Sequence, residues 1–271
     1  MIKLNNETID FKSFPNGETL VDGEKILKAR NHSNNKIFLK YESDLDLTNL
    51  MFLKRHLDED NLDIVLEIGY MPYSRMDRVE GASVFTLKYV CEFINSLKFK
   101  QVLVHEAHSD VTAALLDRVT VIDESVKLLY TVMGIVGFDP NEDYIFYPDA
   151  GAQKRYGKLN QKNELVGFKK RDFQTGHIDS LQVIGDLKHD KKIIIVDDLS
   201  SRGGTFMYAA KELKKMGAGD IYLVVAHCEE TIFSGDIPES DLIKKVYTTD
   251  SIISESKHEK IEIIKHLGEN K

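Results

Sequence analysis

The strongest constraint on this chain is the alternation of two hydrophobic periods along its length. Short runs dense in β-branched and aromatic residues recur: "KIFLKYE" (36 to 42), "LDIVLEIGY" (62 to 70), "QVLVHE" (101 to 106), "YIFYPD" (144 to 149), "KKIIIVDD" (191 to 198) and "IYLVVAHC" (221 to 228). Between them "LTNLMFLKRHLDE" (47 to 59), "GASVFTLKYVCEFINSL" (81 to 97) and "TFMYAAKELKKMG" (205 to 217) repeat apolar residues at helical spacing. Strands alternating with helices predict an α/β fold with largely parallel sheets covered on both faces. Ligands of such sheets gather at the carboxyl ends of the strands. Gly134, Gly137, Pro140 and several acids interrupt the pattern over residues 133 to 143, and a second strand series follows. The expected division is therefore a domain over 1 to 137, a second over 138 to 254, and a tail over 255 to 271 that packs back on the first.

With 271 residues, 42% of them apolar, the chain can bury the cores of two domains. A formal net charge of -8 argues against nonspecific binding to nucleic acid or to an anionic membrane, and points to small-molecule partners. Cys91 and Cys228 are the only cysteines, without metal-ligand spacing, which suits two buried thiols in a reducing compartment. No charged-then-apolar leader opens the chain, and no apolar run approaches the roughly 20 residues of a membrane helix. A cytoplasmic protein is expected.

The stretch "VDDLSSRGGTF" (196 to 206) joins a strand pattern to a helix on which Phe206, Ala210, Leu213 and Met216 share one face. A glycine turn opening a helix offers unpaired N–H groups and a partial positive charge, a cradle for phosphate. Asp197 and Asp198 would repel a phosphate, and they fit beside one only if they hold sugar hydroxyls or Mg²⁺. The segment thus reads as a site for a phosphorylated sugar. Taken alone it reads equally well as a solvated acidic turn with a helix cap.

Other candidates also follow strand patterns. "HEAHSD" (105 to 110) spaces His105 and His108 three apart; read instead as a strand end, it puts Glu106 and His108 on one face. "YPDAGAQKRYG" (147 to 157) sets Asp149 ahead of small residues, Lys154 and Arg155. "VGFKKRDFQTGH" (166 to 177) lines up Lys169, Lys170 and Arg171, either a solvated run or a cationic arm that closes over phosphates. "YMPYSRMDRVEG" (70 to 81) brings Arg75 and Arg78 into a proline-containing loop beside Asp77 and Glu80.

In order, "FPNGE" (14 to 18), "PYSRMDR" (72 to 78), "EAHSD" (106 to 110), "YPDAGAQKR" (147 to 155), "FKKR" (168 to 171), "VDDLSSRGGT" (196 to 205) and "FSGD" (233 to 236) resemble the landmarks of phosphoribosyl pyrophosphate synthetases, the ribose-phosphate pyrophosphokinases. The resemblance implies two phosphoribosyltransferase-like (type I) domains, each a largely parallel sheet flanked by helices, with the active site between them. It implies transfer of the β,γ-diphosphate of MgATP to the anomeric hydroxyl of ribose 5-phosphate, leaving AMP. Carried onto this chain, Arg75 and Arg78 hold ATP phosphates. Phe14, Asn16 and Glu18 cup the adenine from a neighbouring subunit, so that a homodimer or larger homo-oligomer is implied. His108 and Asp149 serve the Mg²⁺ ion, and Asp197 and Asp198 take the ribose hydroxyls. Ser200, Ser201, Arg202, Gly203, Gly204 and Thr205 form the sugar-phosphate loop. His108, Lys169 and Arg171 are the implied catalytic groups. The chemistry asks mainly for positioning and for positive charge on the transferring group.

Ser201 and Arg202 stand where the family has an acid and a threonine, and Met76 stands where it commonly has glutamine. A forked cation in place of a hydroxyl suits a substrate with more phosphate charge or a larger group at its 5-position. ADP-ribose meets that description, and its 1-diphosphate would belong to NAD salvage. A phosphoribosyltransferase would also use the Asp-Asp and glycine loop, but it has no need of "FPNGE", "SRMDR" and "EAHSD". A catalytically silent regulatory subunit would have no need of His108, Lys169 and Arg171.

Overall fold

The computed structural model describes residues 1–159, 161–171 and 178–265, the side chains of Lys158, Lys169 to Arg171 and residues 178–180 excepted. The chain separates into two compact units, Met1–Asp123 and Glu124–Lys265.

In the first unit β1 (Ile2–Leu4), β2 (Glu7–Ile9), β3 (Phe11–Ser13), β4 (Thr19–Val21) and α1 (Gly23–Ala29) precede β5 (Asn35–Leu39), α2 (Asp44–Asp58), β6 (Ile64–Ile68), α3 (Thr86–Ser96), β7 (Gln101–His105), α4 (Asp110–Leu115) and β8 (Val119–Ile122). Its main sheet runs β2-β1-β5-β6-β7-β8, with β5 to β8 parallel and β1 antiparallel to both of its neighbours. β3 and β4 form a separate hairpin. Alternate strand residues, Ile37, Leu39, Leu66, Ile68, Val102 and Val104, point into one core with Leu50, Leu53 and Leu57 of α2 and Leu87, Cys91 and Ile94 of α3. The sheet was expected to be covered on both faces; among the described residues the core shared with α2 and α3 lies on one. The physical reason lies in the alternate residues of the other face. There Lys36 Nζ sits 2.7 Å from Glu67 Oε2, and His105 Nε2 sits 2.8 Å from Glu67 Oε1. A polar row across three strands is not an apolar seat for a helix.

The second unit contains α5 (Glu124–Val136), β9 (Tyr144–Tyr147), α6 (Ala150–Tyr156), β10 (Glu164–Arg171), β11 (Ile178–Ile184), β12 (Ile193–Ser200), α7 (Gly204–Lys215), β13 (Ile221–Cys228), β14 (Lys245–Thr249) and β15 (Ile261–Ile264). The sheet order is β11-β10-β9-β12-β13-β14-β15, all parallel except the antiparallel β10–β11 pair. Here both faces are covered, and the alternation of β12 and β13 shows how. Ile193, Ile195, Leu223 and Val225 pack on Phe206, Ala210 and Leu213 of α7. Ile194, Val196, Tyr222 and Val224 pack on Leu128, Leu129 and Val132 of α5 and on Ala152 and Tyr156 of α6.

This packing fixes the division at Asp123/Glu124, ahead of the glycine-containing stretch at 133 to 143, because the apolar face of α5 belongs to the second core. The stretch 255–265 likewise adds β15 to the second sheet beside β14, where packing against the first domain was expected. Residues 266–271 lie outside the described residues. Among the described residues no helix is long and apolar enough to cross a membrane.

Leu129 is fully buried in the second core. Leu129→Ala is expected to cost about 2–5 kcal/mol, the usual range for a core leucine. Hydrogen exchange should place the loosened amides within 124–265. Loosening confined to 1–123 would contradict the assignment of α5.

Candidate active site

The acidic half of the site is built where β12 ends. Asp197 and Asp198 close the buried run Ile193–Val196, and α7 begins a few residues further on. Asp198 is buried and Asp197 half-buried. The Asp198 backbone N–H donates to Asp197 Oδ1 at 3.0 Å, and the Asp197 carbonyl accepts from Ser125 Oγ at 3.1 Å. The Ser125 hydroxyl in turn accepts from Tyr156 at 3.2 Å, which ties the strand end to α5 and α6. Asp149, at the end of the neighbouring β9, caps α6 by accepting from the Ala152 N–H at 3.0 Å. Burial, then the Asp198 carboxylate, then Asp149 push the Asp197 carboxyl well above the usual carboxylate range. The cation beside them is Arg155, whose guanidinium lies 3.2 Å from Asp198 Oδ1.

The loop that follows turns through Gly203, which has φ +82° and stands at the N-cap of α7 without a side-chain cap. A Cβ at Gly203 would meet Ile237 Cδ1 at 2.3 Å, so the position is closed to other residues by backbone angle and by space alike. The first N–H groups of α7 are thereby left to a ligand or to water. Ser200 is buried, Ser201 and Thr205 are half-buried, and Arg202 and Gly204 are exposed. Arg202 has no ion partner among the described residues. The loop is backed by the segment after β13. The Glu229 N–H donates to the Ser200 carbonyl at 2.8 Å, and a Cβ at Gly235 would come within 2.0 Å of the Arg202 carbonyl oxygen.

In the first unit the candidates lie on two structures. The loop after β6 carries Arg75 and Met76, both exposed, and Arg78, which is paired with Glu80 at 2.6 Å and Asp77 at 3.3 Å. Tyr73 in that loop holds a left-handed φ of +62°. Its hydroxyl donates to Asp44, which also accepts from Tyr41 at 2.6 Å; the bonds from Tyr41 and Tyr73 hold the Asp44 carboxyl below its ordinary range. His108 is half-buried in the loop after the adjacent β7, just ahead of the Ser109 cap of α4. His105 is not its partner on a helix: it ends β7 inside the ion pair with Glu67, and Glu106, with φ +45°, breaks the alternation that would align it with His108. Phe14, Asn16 and Glu18 form the tip of the β3–β4 hairpin. The Gly17 N–H donates to the Phe14 carbonyl at 2.8 Å, Asn16 Nδ2 donates to Glu18 Oε2 at 2.8 Å, and the Phe14 ring stands 50% exposed.

Thus the second unit brings Asp149, Asp197, Asp198 and the 200–205 loop together, and the carboxyl edge of the first sheet carries Arg75, Arg78 and His108. The side chains of Lys169 and Arg171 lie outside the described residues; their backbones are in β10 opposite Leu181 and Ile178 of β11. Sequence reading named Arg155 only as part of "YPDAGAQKRYG" and the 229–237 segment only through the "FSGD" landmark, and it missed Ser125, because each acts through a fold contact. Among the described residues no group of three or more His, Cys, Asp and Glu side chains is set to hold a metal ion unaided. The carboxylate oxygens present suit Mg²⁺ in its usual manner, through one or two carboxylates together with substrate phosphates. Cys91 and Cys228 are buried, and burial pushes both thiols up to about 12, which leaves them inert.

Two mostly parallel sheets of this plan, the second with an acid pair running into a glycine-opened helix, define a two-domain protein of the phosphoribosyltransferase type. The solved phosphoribosylpyrophosphate synthetase of Mycobacterium smegmatis superposes with a TM-score of 0.75, covering 95% of this chain and 86% of that one at 20% identity. Ribose-phosphate pyrophosphokinase of Pyrococcus abyssi is 26% identical over 96% of this chain and 90% of its own length. The Sulfolobus acidocaldarius protein of the same name is 28% identical over 90% and 84%. That of Buchnera aphidicola from Acyrthosiphon pisum is 28% identical, over 70% of this chain and only 61% of its own length. No family model matches the sequence. Over most of its length the chain is thus similar to ribose-phosphate pyrophosphokinases, which are transferases.

The raised Asp197 carboxyl carries a pH signature. Below about pH 4, where the unfolded carboxyl also holds its proton, the pair imposes no penalty on the fold. As pH rises toward the folded-state value, the penalty grows. Asp197→Asn is therefore expected to raise Tm at neutral pH, with the gain vanishing near pH 4. A neutral-pH Tm at or below that of the unmodified protein would contradict the crowding of the acids.

Proposed function

We propose that the protein transfers the β,γ-diphosphate of MgATP to the anomeric hydroxyl of a ribose 5-phosphate unit and releases AMP. The observation that carries this reading is the juxtaposition at the end of β12, where Asp197 and Asp198 stand a few residues before the open N-terminus of α7. Carboxylates accept hydrogen bonds from sugar hydroxyls, and the helix N-terminus receives a phosphate. A ribose 5-phosphate spans those two preferences, with hydroxyls at one end and phosphate at the other.

Arg75 and Arg78 hold the ATP phosphates, and Phe14, Asn16 and Glu18 supply the adenine pocket to a neighbouring copy in a homo-oligomer. Mg²⁺, served by His108 and Asp149, would neutralise phosphate charge as the diphosphate moves. Lys169 and Arg171 add positive charge, and Asp197 and Asp198 orient the acceptor so that its anomeric oxygen is presented in line. No protein nucleophile is required. The Ser201–Arg202 pair supports ADP-ribose as acceptor, since an exposed guanidinium beside the phosphate cradle suits a second phosphate. On this reading the protein is cytoplasmic and serves NAD salvage.

Purified protein with ATP and Mg²⁺ is expected to release AMP with either acceptor, at a higher kcat/KM for ADP-ribose. Arg202→Ala should lower kcat/KM for ADP-ribose by about tenfold or more, the loss of a charge-assisted pair, and leave the KM for ATP unchanged. Equal losses toward both ligands would contradict the role given to Arg202. Gly235→Ala, which drives a methyl group against the Arg202 carbonyl, should raise the KM of both acceptors with the circular dichroism spectrum preserved.

A further inference from the structure

Behind the sugar-phosphate loop a chain of hydroxyls runs to a carboxylate. Ser201 Oγ lies 2.9 Å from Thr231 Oγ1, and the Thr231 hydroxyl donates to Glu229 Oε2 at 3.2 Å. An ionised carboxylate only accepts, and a bond to a charged acceptor is stronger than one between neutral hydroxyls. The single Thr231 proton is therefore committed to Glu229. Thr231 Oγ1 is left as an acceptor, and the 2.9 Å contact requires Ser201 to donate. With its one proton directed backwards, Ser201 presents only lone pairs to a ligand in the loop.

The loop and the segment behind it are in close contact at several points. Ser200 and Glu229 are bonded through their backbones, Gly203 is closed against Ile237, and Gly235 is closed against Arg202. The 229–237 segment thus lies directly behind the loop.

We propose that Thr231 and Glu229 set the acceptor specificity of the site by fixing Ser201 as a hydrogen-bond acceptor. The inference rests on the reading above, in which the loop receives the 5-phosphate. A terminal phosphate monoester approaches two negative charges at neutral pH, its second pKa being about 6, and it is repelled by the lone pairs of an acceptor-only hydroxyl. A 5-phosphate esterified further carries a single charge and brings the donor hydroxyls of its extension. The relay therefore selects a ribose 5-phosphate unit extended through its phosphate, by a route separate from the positive charge of Arg202. Thr231 and Glu229 are positioning residues, since they act through Ser201.

The test compares ribose 5-phosphate with ADP-ribose, both by kcat/KM and by calorimetric binding to the full chain with Mg²⁺. Glu229→Gln puts an amide donor behind Thr231, so the chain can reverse and Ser201 can donate forward. The preference should move toward ribose 5-phosphate by about five- to tenfold, the change of one hydrogen bond, with the KM for ATP unaltered. Thr231→Val should move it the same way, and Thr231→Ser, which keeps the relay, should retain the original ratio. In a Ser201→Ala background Glu229→Gln should have no further effect. An unchanged ratio in both Glu229→Gln and Thr231→Val, or a shift that persists without the Ser201 hydroxyl, overturns the relay. Binding of both acceptors without AMP release overturns the diphosphokinase reading while the binding ratios still decide the relay; binding of neither overturns both.

Discussion

Like charges forced together at the end of a buried strand are the interaction on which the rest of the site depends. Asp197 and Asp198 follow directly from Ile193–Val196, a run buried on both faces of the second sheet, and Asp149 faces them from the neighbouring strand end. The strand fixes where these carboxylates stand, since its register with β9 and β13 is held by the ladder and by side chains committed to two different cores. Their mutual repulsion is partly offset by Arg155 against Asp198 and by the Asp198 N–H against Asp197. What remains is an unfavourable arrangement that hydroxyl donors or a cation would relieve. Electrostatic strain of this kind is stored where a ligand will release it.

The rest of the second unit serves that strand end. α5 and α6 cover one face and reach the acid pair through the Tyr156–Ser125–Asp197 hydrogen bonds. α7 covers the other face and turns its uncapped N-terminus toward the same edge. The close approaches at Gly203 and Gly235 let the 200–205 loop and its backing segment lie in contact, which a side chain at either position would prevent. Among the described residues of the first unit α2 and α3 share a core on one face of the sheet, and the polar row of Lys36, Glu67 and His105 occupies the other. Its loops after β6 and β7 nonetheless leave from the carboxyl edge, as the parallel plan requires.

Much of this was legible before any coordinates. The six strand-like runs all fall on strands and the three helical stretches on helices, because each carries a hydrophobic period that tertiary structure reinforces. The face of Phe206, Ala210 and Leu213 is buried as its spacing implies, with Met216 at its margin. The unit boundary was harder to read. Glycines and Pro140 mark where the chain turns, whereas the allegiance of α5 is decided by which core its leucines enter, and a helical period does not say that. The acids, the arginines and the glycine loop announce themselves by residue type. The contacts of Ser201 with Thr231 and of Asp44 with Tyr73 join residues 30 and 29 apart in sequence and are invisible until the chain is folded.

The central claim is that acids at one strand end and an open helix terminus hold a sugar phosphate while a diphosphate is delivered to its anomeric oxygen. Phosphorus-31 NMR of the complete reaction mixture tests it most directly, because it reports the bond formed and the nucleotide released together. The expected result is a pair of mutually coupled diphosphate resonances bonded to the sugar C1, growing in step with the AMP singlet. Formation of ADP with a C1 monophosphate, or consumption of an added C1-diphosphate with release of free pyrophosphate, would contradict it.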